Sequence, residues 1–168
     1  VDYIMKHPIW KKLVVRGNIT FAKYFSDNVI PVKVPHRAKD FDTHALLFKG
    51  KNNNLLFLPD HDSWEETLEF VGYENPKEWF SSLDVDVVLL DGTFWNNNEL
   101  KSRVQSRVPH PSVTETIDLI GDRKENDPRI IFVHLNHTNP LHYSDSEEYQ
   151  KLASLGWEVG EEGMEFNL

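Results

Sequence analysis

The chain has 168 residues, 39% hydrophobic and 12% aromatic, enough for one folded domain with an apolar core. A formal net charge of −9 at pH 7 argues against a nucleic-acid partner, because a phosphate backbone calls for a basic patch. The absence of cysteine removes disulfides and thiolate metal sites, and no apolar run approaches the roughly 20 residues that cross a bilayer.

In chain order, residues 3 to 14 are compatible with a helix that places Trp10, Leu13 and Val14 on one side. Short strands are predicted at Ile19 to Tyr24, Val29 to Val34, Ala45 to Lys49 and Leu55 to Leu58, with Gly50-Lys51-Asn52-Asn53 as a hairpin turn between the last two. The pattern then alternates. A helix from Trp64, broken near Gly72 and resumed at Pro76, precedes a strand at Val85 to Leu90. A helix from Ser112 to Ile120 precedes a strand at Ile130 to Leu135, and a helix from Ser146 to Leu155 precedes a last strand near Trp157. Ser112-x-x-Glu115 and Ser144-x-x-Glu147 resemble capping boxes, and Gly156 stands where a helix C-terminus favours glycine. A β-meander followed by β/α units is what half of an α/β sandwich gives, with no linker or repeat to divide it. Trp79, Phe80, Trp95, Trp157 and Phe166 are expected to pack in the core or between helix and sheet.

Four predicted strands end in groups that bind metals. Val32-Lys33-Val34 leads to Pro35-His36-Arg37, and Leu55 to Leu58 leads to Pro59 and then Asp60-His61-Asp62. Val85 to Leu90 leads to Asp91-Gly92-Thr93-Phe94-Trp95, and Ile130 to Val133 leads to His134-Leu135-Asn136-His137-Thr138-Asn139-Pro140. Imidazole and carboxylate at the rim of a sheet suit zinc, iron or manganese. Each residue also has an ordinary reading. Asp91 before glycine is a turn signal, Asp62 can cap the helix that follows, and Arg37 serves equally for an anionic substrate group or a surface salt bridge. By strand alternation His134 could sit behind the sheet. His110, stiffened between Pro109 and Pro111, is a second candidate for substrate or metal. His7, His44 and His142 have no supporting context.

The runs FLPDHDSW, LLDGTFWNNNEL, VPHPSVTET, IFVHLNHTNPL and LGWEVGEEGMEFNL together resemble the C-terminal part of the pyrroloquinoline quinone biosynthesis protein B branch of the metallo-β-lactamase fold superfamily, in order and spacing from about Val32 to Leu168. The resemblance implies an α/β, metallo-β-lactamase-like αββα sandwich. It implies a metal set in which His36 is the later histidine, Asp60 the bridging aspartate, with Asp62 as its fallback, and His137 the final histidine. His110 and Asp91 are then candidate catalytic residues, Asp91 as an acid that orients an imidazole ligand. The superfamily's first motif, H-x-H-x-D-H, does not occur in this sequence. Residues 1–168 are therefore expected to form a single incomplete domain whose N-terminal half lies upstream, and to bind metal weakly or not at all and be inactive by themselves.

Two kinds of chemistry follow from the resemblance, with a divalent zinc or iron as cofactor, one or two ions in the full-length protein. One is metal-dependent oxygenation of a tyrosine-derived precursor in pyrroloquinoline quinone biosynthesis. The other is zinc-dependent hydrolysis of an ester, amide or phosphoester. A domain that only binds or carries a partner is the third alternative. The partners expected are a small-molecule or peptide-derived substrate and, as an open option, a second copy in a homodimer, with neither nucleic acid nor membrane. The cysteine-free composition agrees with a reducing, cytoplasmic setting.

Overall fold

The computed structural model describes residues 28–37, 43–100 and 108–168. The helix expected over 3 to 14, the strand expected at Ile19 to Tyr24, and His7 lie outside these described residues. The rest follows the predicted order closely. Among the described residues six strands form one sheet: β1 (Val29–Val34), β2 (Thr43–Lys49), β3 (Asn54–Leu58), β4 (Val87–Asp91), β5 (Arg129–Val133) and β6 (Glu158–Val159). Helices α1 (Trp64–Val71) and α2 (Pro76–Ser82) connect β3 to β4, α3 (Val113–Ile120) connects β4 to β5, and α4 (Glu147–Ser154) connects β5 to β6.

The sheet runs in sequence order, antiparallel from β1 to β3 and parallel from β3 to β6. Two antiparallel steps restore direction, so β1 points the same way as β3, β4 and β5. The chain therefore leaves four strands at one edge. In parallel sheets that edge is where loops build sites on a rigid scaffold.

Helix ends form where local chemistry places them. Ser63 accepts the Glu66 N–H at the start of α1, and Gly72, at φ 79°, ends it by returning its N–H to Leu68. Asn75 and Pro76 then open α2, because a helix's first N–H groups need an outside acceptor and proline has none to satisfy. The cap of α1 is thus Ser63 and not Asp62, whose carboxylate is taken by Arg37. Ser112 caps α3 by accepting from Glu115 as expected. At α4 the cap is Ser146, accepting from Tyr149, and not Ser144. The 3₁₀ turn at Pro140–His142 and the Tyr143 to Ser146 turn that follows it carry the chain past Ser144 before the helix begins.

Strand side chains alternate between two apolar faces. Leu56, Leu58, Val88, Leu90, Ile130 and Phe132 pack under the helices with Trp64, Trp79, Phe80, Ile117 and Leu152. Trp95 and Trp157 belong to the same cluster, so these aromatic side chains are core. On the other face Leu55, Val87 and Ile131 are buried, together with half-covered Phe48, Phe57, Leu89 and Val133. Met164, Phe166 and Leu168 cover that face, alternating inward along the C-terminal tail. The Trp64 indole N–H donates to Thr116 Oγ1 at 2.8 Å and ties α1 to α3. Among the described residues no helix is long and apolar enough to cross a membrane.

Candidate metal centre

Asp91 ends β4 fully buried, and it survives there because both of its oxygens are met. Oδ1 accepts the Thr93 backbone N–H at 3.0 Å and the Thr93 hydroxyl at 2.7 Å. Oδ2 accepts from His110 Nδ1 at 2.7 Å and, more distantly, from the His61 N–H at 3.4 Å. Burial works against the charged carboxylate, but the His110 hydrogen bond, the charges of His110 and His61 and the Thr93 N–H outweigh it and hold Asp91 below the usual range. The same partnership acts in reverse on His110. Burial disfavours its imidazolium, yet the bond and charge of Asp91, with Asp60 behind them, raise its pKa above the ordinary histidine value.

The next-door segments fit together closely. The Gly92 N–H donates to Val133 O at 2.9 Å, the Asn136 N–H to Thr93 O at 2.9 Å, and the buried Asn139 amide to Gly92 O at 2.7 Å. A Cβ at Gly92 would lie 2.9 Å from Leu135 Cδ2 and 3.0 Å from Val133 O. Glycine is required there by the close approach of the two strand ends; the sharp turn expected of it does not demand a positive φ. Beyond β5, His134 adopts φ 61°, in the left-handed region that non-glycine residues seldom occupy. This reversal breaks the strand alternation from which His134 could have been placed behind the sheet. Its ring instead comes to 5.7 Å from that of His110, and its Nδ1 to 3.0 Å from Thr93 Oγ1.

The result is a cluster in which ligand atoms of Asp91, His110 and His134 all lie within 4.8 Å of one another. Around it stand the groups delivered by β1 and β3. Asp60 Oδ1 is 3.5 Å from His110 Nδ1 and 3.9 Å from His36 Nε2, and His36 Nε2 is 3.6 Å from Asp62 Oδ1. Arg37 pairs with Asp62 at 2.7 Å and also reaches Pro109 O at 3.1 Å. His61 is fully buried with its ring 4.6 Å from Trp64, and burial, opposed by Asp91, pushes its pKa down to about 4.

The structure thus brings His36, Asp60, Asp62, His110 and Asp91 to one edge. His134 and His137 are both exposed; among the described residues a hydrogen bond joins His134 to the cluster, and none joins His137. His142 bonds Asn136 O at 3.1 Å, away from the acids, and His44 lies in β2 opposite Lys33. Thr93 gave no clear signal in the sequence, being an ordinary residue after a turn, whereas His61, one of three consecutive candidate ligands, lies buried against Trp64.

The donor chemistry suits a divalent cation. Imidazole and carboxylate converge without a sulfur ligand, and Asp60 Oδ1 and both ring nitrogens of His61 are buried with no hydrogen-bond partner. Such atoms are costly unless something satisfies them.

No family model matches the chain. Among curated proteins it is similar to Coenzyme PQQ synthesis protein B of Gluconobacter oxydans, 33% identical over 91 residues, which is 49% of this chain and 29% of that protein. It is 26% identical over 182 aligned positions to the protein of that name from Pseudomonas syringae pv. syringae, covering 95% of this chain and 55% of the relative. The Acinetobacter baumannii protein of the same name is 24% identical over 159 residues, 90% of this chain and 50% of the relative. The chain spans about half or less of the length of these relatives. Among solved structures, the zinc-bound PqqB of Methylobacterium extorquens superposes with a TM-score of 0.59 at 19% identity, over 85% of this chain and 48% of that one. Six strands in this order, with helices on one face and the ligand cluster at the strand ends, give this chain a PqqB-like metallo-β-lactamase fold.

Proposed function

We propose that this chain provides part of a divalent-metal centre serving pyrroloquinoline quinone biosynthesis, with zinc the first metal to test and a tyrosine-derived precursor as the substrate class. The observation that carries the metal reading is the convergence of Asp91, His110 and His134 within 4.8 Å beside Asp60 Oδ1, a buried oxygen without a hydrogen-bond partner. The names of the relatives and the zinc-bound PqqB fold support the pathway and the metal. His110 and His134 would hold the ion, with His36 and Asp60 as further donors.

A divalent metal held there supplies Lewis acidity to a bound substrate. The chain's own residues do the rest. Asp91 fixes the His110 ring and lets it hold a proton at Nδ1, Thr93 aligns the neighbouring imidazole, and Phe94, edge-on to His110 at 6.0 Å between ring centres, shields the ring from water. The Arg37 to Asp62 pair, reaching Pro109 O, keeps the loop that carries His110 against the edge. Hydrolysis and oxygenation use the same donors, so the metal that supports turnover separates them, iron for oxygenation and zinc for hydrolysis.

The test is zinc titration of the 168-residue chain and its variants. Zinc uptake, weak as expected of this chain, should be lost in His110→Ala and His134→Ala and kept in His137→Ala. Binding that ignores His110 and His134, or no binding, would overturn the proposal.

A further inference from the structure

Thr93, 7% exposed, has a hydroxyl with three polar neighbours in the cluster: Asp91 Oδ1 at 2.7 Å, His134 Nδ1 at 3.0 Å and His110 Nδ1 at 3.3 Å. A hydroxyl has one hydrogen to give and two lone pairs with which to accept. A carboxylate only accepts, so at 2.7 Å the single hydrogen must lie between Thr93 Oγ1 and Asp91 Oδ1. Nothing is left to donate to the imidazoles. For the 3.0 Å contact to be a hydrogen bond, His134 Nδ1 must carry the hydrogen. His110 is bound by the same logic, because its Nδ1 lies 2.7 Å from Asp91 Oδ2, a second acceptor, with the Thr93 oxygen as a weaker branch.

We propose that Thr93 is a positioning residue that holds His134 in the Nδ1–H form and, together with Asp91, holds His110 in the same form, leaving the Nε2 lone pair of each imidazole as the donor to a metal. The inference rests on the metal reading above for its consequence and on hydrogen-bond geometry alone for the tautomers. It also explains why a threonine follows the Asp91-Gly92 pair. Its backbone N–H caps Asp91 Oδ1 while its carbonyl accepts from Asn136, so the hydroxyl is aimed by both neighbouring strand ends. Groups that orient a metal-binding imidazole through its other nitrogen typically change affinity about 10- to 100-fold when removed.

Histidine-selective ¹⁵N labelling of the metal-free chain, read by long-range ¹H–¹⁵N correlation, reports which ring nitrogen carries hydrogen. His110 and His134 are expected as Nδ1–H in the wild-type chain. In Thr93→Val, His134 should move toward the Nε2–H form while Asp91 keeps His110 unchanged, and zinc affinity should fall about 10-fold or more. Thr93→Ser, which restores the hydroxyl, should recover both. Should Thr93→Val not fold, the wild-type spectrum still decides, for an Nε2–H form at His134 there overturns the proposal. So does a Thr93→Val chain that keeps its His134 tautomer and its zinc affinity. Wild-type chain with both Nδ1–H forms but no zinc uptake would refute the metal reading and uphold the hydroxyl's hold on the two rings.

Discussion

Acidification should destabilise this fold through one buried imidazole, beginning above the range in which carboxylates titrate. His61 is fully buried with both ring nitrogens unpartnered, and its pKa falls from 6.5 to about 4, chiefly because burial penalises the charge. Between these values the unfolded chain binds a proton that the folded chain refuses. The unfolded state then holds more protons, so unfolding free energy rises with pH in this window and drops as pH falls. One proton is worth about 1.4 kcal/mol per pH unit, so some 3 kcal/mol should be lost between pH 6.5 and about 4. At the acid end Glu158, held low by its hydrogen bonds to Arg129, adds a slope of the same sign as pH falls below the ordinary glutamate value of 4.5. His110, whose folded pKa is raised, is charged in both states below 6.5 and adds its slope only above that, where its stabilisation is lost as pH rises through the folded value. Asp91, held low, adds its slope only as pH falls below the ordinary carboxylate value, where its contribution is lost. Urea unfolding of metal-free protein in half-unit steps from pH 7 to 4, followed by tryptophan fluorescence, measures the slope. His61→Phe, which keeps a ring against Trp64 without a titratable nitrogen, should flatten it. Stability that does not change across the window, or a His61→Phe slope equal to that of the wild type, would refute the reasoning.

Two further outcomes follow from packing. Gly92→Ala sets a methyl within 3.0 Å of Phe132 Cβ and Val133 O, a backbone clash that the sheet cannot relieve by turning a side chain. It should cost about 1–3 kcal/mol in urea unfolding and weaken zinc binding in titration, because the same contact places His134. Removing residues 161–168 should uncover Leu89, Val133 and Phe57 on the second sheet face. Increased fluorescence of a hydrophobic dye and self-association by light scattering are expected, since contiguous apolar patches beyond a few hundred Å² are uncommon on monomers.

Much of the scaffold was legible because its signals are local. The apolar runs at 55 to 58 and 130 to 133, the Gly72 break, the Asn75-Pro76 restart and the Ser112 cap each concern residues a few positions apart. His36 and Asp60 were legible as a strand-proline-ligand pattern, and His110 through its two prolines. The approach of His134 to the cluster was not. A strand's period of two holds only while the strand lasts, and the φ of 61° at His134 starts a new direction one residue after β5 ends. The role of Thr93 depends on which atoms stand around its hydroxyl, and those come from β4, the Pro109–Pro111 loop and the end of β5. Ser144 misled for a related reason, since two serines two residues apart offer the same chemistry and only the preceding turn selects Ser146.

The edge where β1, β3, β4 and β5 finish has a consequence for how the chain folds. None of these loops is near the others along the sequence, and each parallel pair between β3 and β6 joins strands separated by a crossover helix. An ion gripped there would staple the finish of one early strand to the finishes of three later ones. It would bind only a chain whose sheet is already assembled, so its binding energy is added to the stability of the entire sheet and to no single segment. At a free concentration 100 times its dissociation constant, that gain is about 2.7 kcal/mol. Metal supply would then act on this protein as a determinant of how much of it survives proteolysis, before it acts on any chemistry.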